Sequence, residues 1–436
     1  MTGRRAVQAT TPRHADPPVG LPRLLAGIRS DGRAMTLDEH IDRHGPLPSS
    51  AGLVDALEAS GLQGRGGAGF PTGAKLRAVA AQRRRPVVVA NAAEGESASL
   101  KDKVLLRHVP HLFLDGSVLA ASALGAREVI VALGSSAGAE LAAVEHALEE
   151  RVRRRVDGRM SLRVASIPRG FVSGEETAVV NVLNGGPPKP TFTPPRPFER
   201  GVGRAPTLVQ NVETVANIAL IARFGADWFR EEGTTAEPGT ILVTLSGAIA
   251  KPGVYEVALA TRLRDLVALA GGVTAPLRAF LVGGYFGSWI DADRALPLRL
   301  LDADLRNEGA SLGARAVVAL PASACGVCET ARAIRYLANE NAGQCGPCVF
   351  GLGAIADAVD RIARCERVDP RQDLGRWLEE IKGRGACRHP DGAARFVASA
   401  LKVFAREMDH HIQHRRCKTG GTTILPLPAS SRRRAV

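Results

Sequence analysis

Five glycines crowd ten residues of Leu62–Leu76, which reads LQGRGGAGFPTGAKL: Gly64, Gly66, Gly67, Gly69 and Gly73. From Gly64 to Gly69 only Arg65 and Ala68 interrupt the glycines, so the backbone carries almost no side-chain cover. Such density permits positive φ and lets amide N–H groups converge on one point, which is how a phosphate is cradled. Arg65 and Lys75 flank the loop with positive charge suited to an anionic ligand. Gly64, Gly66 and Gly69 also satisfy G-x-G-x-x-G, but a dinucleotide fingerprint must follow a strand, and the preceding LVDALEAS has helical spacing. No Gly-Lys-Ser/Thr follows, so the stretch is not a Walker A loop. A flexible linker is the remaining alternative, and an embedded Phe, Pro and lone Arg argue against it.

The second candidate chemistry is in sulfur. All seven cysteines fall late, at 325, 328, 345, 348, 365, 387 and 417. An odd count in one helical segment, with no apolar signal core at the N-terminus, argues against disulfides and for metal. Cys345-Gly-Pro-Cys348 sits between two helical stretches, and Cys387 follows the turn Gly383-Arg-Gly-Ala. Thiolates grouped this way suit an iron–sulfur cluster. Zinc is the rival, a redox-active C-x-x-C pair a third reading, and any one of these cysteines alone is more often a small buried hydrophobe. Cys325-Gly-Val-Cys328 is a second pair. A helix between the pairs would separate them by roughly 25 Å at ~1.5 Å per residue, too far to share a metal.

Three polar stretches join these. Asn91-Ala-Ala-Glu94-Gly-Glu96 follows an apolar run, where open α/β sheets place ligand groups. Gly174-Glu175-Glu176-Thr177 opens a helix; its carboxylates either stabilise the N-terminus or bind sugar hydroxyls beside a phosphate site. Gln210-Asn211-Val-Glu-Thr214 opens another helix and could be a simple cap.

The elements that must hold these residues follow from periodicity. Pro86–Ala90, Glu128–Leu133 and Leu162–Ile167 read as buried strands, with helices over Val109–Leu124 and Ala139–Val152, so a parallel sheet with crossover helices is expected. Pro187–Pro206 has no periodicity. From Thr240 short strands and one helix suggest a small mixed β/α unit. Beyond Pro321 the pattern is helical: Thr330–Glu340, Leu352–Ala363, Leu374–Lys382 and Ala393–Glu407. The 436 residues thus divide into an N-terminal extension (1–45, disordered to about residue 20), an α/β domain (46–236), a mixed domain (237–320), a helical domain (321–416) and a disordered basic tail (417–436). No apolar run reaches membrane-spanning length, and a cytoplasmic protein, peripheral at the inner face of the membrane at most, is expected. The net charge of +13 lies in tails and single faces, and 4% aromatic content offers no base-stacking platform, so no nucleic-acid partner is expected.

Leu62–Lys75, Asn91–Asp102, Gly170–Ala178, Asn211–Thr214 and the late cysteines, in this order, resemble the flavin- and NADH-binding subunit of respiratory NADH:quinone oxidoreductase (complex I). Related subunits of NAD-reducing hydrogenases and formate dehydrogenases share the pattern, and the likeness spans roughly residues 50–410. It implies a Rossmann-like FMN domain, a ubiquitin-like β-grasp (SLBB-type) domain and a helical bundle with one [4Fe–4S] cluster, passing electrons from NADH through FMN to a partner protein. By the resemblance, Gly64, Arg65, Gly66, Gly67, Ala68, Gly69 and Lys75 hold the FMN phosphate. Asn91, Glu94, Asn211 and Thr214 hold the ring or ribityl chain, and Glu96, Glu175, Glu176 and Phe70 remain of a nicotinamide site. The chain departs from the family at Ala93 (Asp in the family), Ala78 (an adenine-stacking aromatic), Thr193 and Arg196 (Lys and Phe), Gln210 (Asn) and Ala342 (the first cluster Cys). Weak use of NAD(H) is therefore expected, with a ferredoxin or a membrane reductase as alternative partner, or a scaffold that has lost its cofactors. The cluster is expected on Cys345, Cys348 and Cys387 alone, as a three-cysteine [4Fe–4S] or a [3Fe–4S] centre, with Asn341, Gln344 or His389 nearest the fourth position.

Overall fold

A computed structural model describes residues 20–419 and 422–428. The first domain starts earlier than position 46. Residues 20–36 and helix α1 (Leu37–His44) pack onto it: the Arg23 side chain is buried and donates to the Trp228 carbonyl, and His40 Nε2 lies 2.8 Å from the buried Asp115. The stretch of the expected extension where disorder was expected falls on the first 19 residues, which lie outside those described.

Helices α2 (Leu53–Ser60) and α3 (Thr72–Ala80) flank the Gly-rich loop. The chain then alternates as β1 (Val87–Ala92), α4 (Lys101–His108), α5 (Pro110–Ala123), β2 (Glu128–Gly134), α6 (Gly138–Arg154), β3 (Ser161–Ile167), α7 (Glu176–Leu183), β4 (Thr207–Asn211) and α8 (Val212–Arg230). All four strands are parallel in the order β3-β2-β1-β4. Alternate residues of β1 serve two cores: Val88 and Ala90 face the layer of α2, α5 and α8, whereas Val89 packs with Val179 and Val180 of α7. β4 was not foreseen, because its five residues follow the aperiodic proline-rich passage and run directly into α8.

The second domain contains β5 (Thr240–Gly247), β6 (Gly253–Ala258), α9 (Leu263–Leu269), β7 (Leu277–Val282), β8 (Ser288–Asp291), the short α10 (Ala292–Ala295) and α11 (Asp302–Arg306), and β9 (Ala316–Pro321). Its sheet order is β6-β5-β9-β7-β8, with β5 and β9 parallel, which is the expected β-grasp arrangement. The helical domain comprises α12 (Gly326–Asn339), α13 (Leu352–Ala363), α14 (Arg371–Ile381), α15 (His389–Val403) and α16 (Ala405–His414). The single helix expected over Ala393–Glu407 is two, interrupted at Phe404. The expected disordered tail is also corrected: Cys417 is half-buried, Leu425 is buried, and the amides of Ile424 and Leu425 donate to the Glu329 carboxylate of α12. Residues 429–436 lie outside the described ones.

The three domains share one seam. Phe171 of the first meets Phe286 of the second at 4.9 Å and His389 of the third at 5.6 Å between ring centroids. Glu340 of α12 accepts the Phe171 amide at 3.0 Å.

Candidate cofactor site

In a parallel sheet whose connections run from β1 outward to β3 and then back to β4, the strand order reverses between β1 and β4. Ligands of open α/β sheets lie in the crevice outside the strand ends at that point. Asn91 and Asn211 pair there in register, and the Gly-rich loop lies against Asn211: a Cβ on Gly66 would sit 3.2 Å from Asn211 Cβ. Two of the loop's own amides are already used, Gly64 N–H by the Phe70 carbonyl (2.8 Å) and Arg65 N–H by Thr214 Oγ1 (2.8 Å). The amides of Gly66, Gly67, Ala68 and Gly69 make no hydrogen bond to a described residue, and Gly67 and Gly69 hold positive φ (110° and 65°). Gly66, Gly67, Ala68 and Phe70 are exposed. The loop amides left without a partner among the described residues are thus those of 66–69, not the whole of 64–69.

Arg65 does not serve as expected. Its side chain is 1% exposed and points under the loop toward Arg315 and Glu213; burial, with Arg315 next, pulls it down to about 9. Arg315 in turn donates to the Arg65 carbonyl, fastening the loop to the second domain. Thr214, fully buried, is likewise a strut beneath the loop. Lys75 does reach toward the site: Nζ lies 2.6 Å from Glu176 and 2.9 Å from the carbonyl of Val209, midway along β4.

A charged network missing from the sequence reading supports Asn211. Lys101, at the start of α4, is 1% exposed; its Nζ meets Asp102 (2.7 Å), Glu213 (3.0 Å) and Asn211 Oδ1 (3.3 Å), and Asn211 donates to Asp102 (2.6 Å). Burial opposes the lysine charge, but the two carboxylates outweigh it and raise its pKa. These residues carry no motif of their own. The only signal for them was their position just after Asn91–Glu96 and inside Asn211–Thr214.

The carboxylates divide by role. Asn91 Nδ2 donates to the Gly174 carbonyl (2.8 Å), drawing the β1 end against the Glu175 turn. Gly174 is obligatory there, because its Cβ would stand 2.0 Å from the Ala93 carbonyl oxygen. Glu175 caps α7 by accepting from Thr177 and Ala178, the plainer of its two expected roles, and burial raises its pKa. Glu94 is raised to about 8, by burial and then by Asp102, and accepts from Ser99 Oγ at 3.1 Å. Glu96 is raised to about 7 by burial; its oxygens accept from the amides of Tyr285 (2.7 Å) and Ala98 (3.0 Å), so it pins the second domain rather than facing a ligand.

At positions where a nucleotide would need contacts, Ala78 is half-buried on α3, and Thr193 and Arg196 are exposed in the proline-rich passage. A cavity of about 590 Å³ lies beneath that passage, between Thr177 and Phe192. A larger one, about 1120 Å³, extends from Glu94 and Gly95 past Arg169 and Tyr336 to Cys328; no residue of the Gly-rich loop lines it.

In the helical domain Cys345, Cys348 and Cys387 come together. Burial raises Cys348 to about 12, reinforced by Cys345 and Cys387, and Cys387 is raised by burial and tempered by the His389 amide. Ala342, at the fourth position, is buried and places only its backbone N–H toward Cys348. Asn341 is committed to its own turn, donating to Ala338 and accepting from Gly343, and Gln344 is exposed. His389 donates through Nε2 to the Leu337 carbonyl at 2.9 Å, leaving its buried Nδ1 without a partner among the described residues. Cys325, Cys328 and Cys417 lie at the other end of α12, whose 14 residues span about 21 Å at ~1.5 Å each. The expected separation of the two cysteine groups therefore holds.

Known proteins match along the whole of this architecture. Residues 57–220 match the Nuo51 FMN-binding domain, 242–284 the SLBB domain, and 322–411 the NADH-ubiquinone oxidoreductase-F iron-sulfur binding region. The second F-type subunit of NADH-quinone oxidoreductase from Rhizobium meliloti (strain 1021) is 32% identical over 93% of this chain and 98% of its own. Mitochondrial NADH dehydrogenase [ubiquinone] flavoprotein 1 of Dictyostelium discoideum is 31% identical over 83% of this chain and 79% of its own. Among solved structures, the air-oxidized NAD+-reducing [NiFe]-hydrogenase superposes with a TM-score of 0.81 at 29% identity, covering 93% of this chain and 69% of that one.

Proposed function

The chain belongs to the family of F-type NADH-quinone oxidoreductase subunits, and from that premise we propose that its FMN sits on the Gly66–Gly69 amides and its iron–sulfur cluster on Cys345, Cys348 and Cys387. The protein is an electron-transfer oxidoreductase subunit with an FMN-binding domain, an SLBB domain and a [4Fe–4S] binding region, related to the NADH dehydrogenase flavin subunit. The observation that carries the FMN assignment is the run of four uncommitted amides that starts at Gly66, which lies against Asn211 at the β1–β4 switch point.

The residues fit the flavin. Lys75 adds the one loop-facing ammonium, shared with Glu176, and Asn91 and Asn211 form the crevice floor. Three thiolates fit a cluster, with the fourth iron position left to a non-cysteine ligand. Bound there, the flavin supplies exchange of electrons in pairs or singly and the cluster supplies single-electron relay. Around them, Glu94 keeps its proton at neutral pH, so it holds one proton at the strand end without adding charge. Lys101 is neutralised by Asp102 and Glu213, so it braces Asn211 instead of drawing an anion.

The partner is a redox protein, either ferredoxin-like or the soluble face of a membrane reductase, and association with the inner face of the cell membrane would come through that partner. Among the described residues no helix is long and apolar enough to cross a membrane. Ala78 and Ala93 favour a donor other than NADH. The absorbance spectrum of protein purified without air tests the assignment: flavin and cluster bands are expected together. A spectrum with neither would leave a scaffold that has lost its cofactors.

A further inference from the structure

The cysteines left out of the iron–sulfur site form a centre of their own. Cys325 Sγ, Cys328 Sγ, Cys417 Sγ and a nitrogen of His411 all lie within 4.8 Å of one another, two of the residues buried and two half-buried. All four gather at the N-terminal end of α12: Cys325 is its N-cap and Cys328 lies in its first turn, His411 is on α16, and Cys417 begins the tail.

The donor set and its spacing select the ion. With Zn–S bonds of about 2.3 Å and Zn–N of about 2.0–2.1 Å, a tetrahedron has edges of about 3.8 Å between sulfurs and about 3.6 Å from sulfur to nitrogen. Cys325 Sγ and His411 Nε2 are 3.5 Å apart. A cubane would spread its four ligands around a body several atoms wide, so ligands this close enclose one ion. Three thiolates with one imidazole, as C-x₂-C and H-x₅-C, are a tetrahedral zinc set. The surroundings are built for it. His411 Nδ1 lies 3.1 Å from the Ile362 carbonyl, which fixes the tautomer that leaves Nε2 free to ligate. The Cys328 amide donates to Cys325 Sγ at 3.4 Å, stabilising the thiolate. No cysteine in the set is in a disulfide.

We propose that Cys325, Cys328, His411 and Cys417 bind one Zn²⁺ ion, a structural centre separate from the iron–sulfur site. It ties the start of the tail to the N-terminus of α12. Beyond it the same tail reaches Glu329 through the Ile424 and Leu425 amides, and its Leu427 and Pro428 wall the 1120 Å³ cavity.

Metal analysis of the full chain, purified without chelator from medium containing zinc, is the test. We expect about one zinc per chain, with a zinc-edge X-ray absorption shell of three sulfurs and one nitrogen. Cys345→Ser should lower iron and leave zinc at one; Cys417→Ser should lower zinc at least tenfold, leave iron unchanged, and open the tail to trypsin at Arg415 and Arg416. Should Cys417→Ser misfold, chelator removal of zinc from the wild-type chain, followed by the same digestion, gives the second readout. Zinc below a tenth per chain, iron lost on Cys417→Ser, or a Cys328–Cys417 disulfide in the native protein would overturn the proposal. Failure of the iron–sulfur assignment would show instead as iron unaffected by Cys345→Ser.

Discussion

Gly67 is the residue on which the flavin assignment is most exposed to test. Its φ of 110° is left-handed territory, and its amide belongs to the proposed cradle. Gly67→Val should strain that conformation and cover the amides, so flavin recovered with the protein should fall at least tenfold; full flavin content would refute the cradle. Glu96 makes a prediction of opposite character. Its carboxyl is raised to about 7 in the fold, against 4.5 when exposed. The folded state therefore holds a proton that the unfolded chain has released. Stability from this proton is full below about pH 4.5 and is lost as pH rises through about 7, at up to about 1.4 kcal/mol per pH unit. Melting temperature should fall more steeply from pH 5 to 7 in the wild type than in Glu96→Gln, even though the variant starts lower for want of one acceptor. Ala78 and Ala93 carry the third. Micromolar NADH should bleach the bound flavin roughly 30- to 140-fold more slowly than in family members with the aromatic and the acid, since losing two or three contacts of roughly 1 kcal/mol each has that effect. Rapid bleaching would restore ordinary dehydrogenase use. At this scale the sequence was legible wherever backbone freedom was the functional requirement. It misled where a charged residue faced inward: nothing in GRGGAGF says that Arg65 is buried beneath its own loop, because that depends on Arg315, 250 positions away.

Among the elements, α5 and α8 pack together beneath the sheet; α5 was expected from its spacing, α8 only as a helix opened by Gln210–Thr214. Their interlock was not, since it rests on pairings distant in sequence. Asp115 of α5 is buried with Arg151 of α6 at 2.7 Å, Arg223 of α8, and His40 of α1 at 2.8 Å. Burial would raise its pKa, but these partners hold it well below the ordinary carboxylate range. Asp115→Ala would leave the Arg223 guanidinium buried without its anion and Arg151 with Asp157 alone, a loss of about 3 kcal/mol. Denaturant unfolding should show the midpoint shifted accordingly, whereas an unchanged midpoint would mean the network relaxes to water. The β-grasp order was implied by resemblance alone, because strands this short fix no sheet order. β4 escaped notice altogether, as five residues between a proline-rich passage and a helix carry too little periodicity to read.

In the whole molecule, three of the joints between the domains lie beside the candidate site: Arg315 to the Gly-rich loop, Glu96 to the Tyr285 amide, and Phe171 among Phe286 and His389. The pairing of β1 with β4 bears on the making of the protein. Val87 and its neighbour Thr207 are 120 positions apart, and a ribosome adding 5–20 residues per second needs roughly 6–24 s to supply the second after the first. Through that interval the nascent chain holds out the unpaired flank of its most apolar strand, with Leu208 and Val212 missing from the core beneath it. A fragment stopped at residue 190 should therefore scatter light and pellet, and co-expression of residues 191–436 should return it to the supernatant. A fragment that stays monomeric would mean β1 is sheltered without its late partner. For a cell, this makes the seconds before β4 emerges the period in which a chaperone would have to hold the chain.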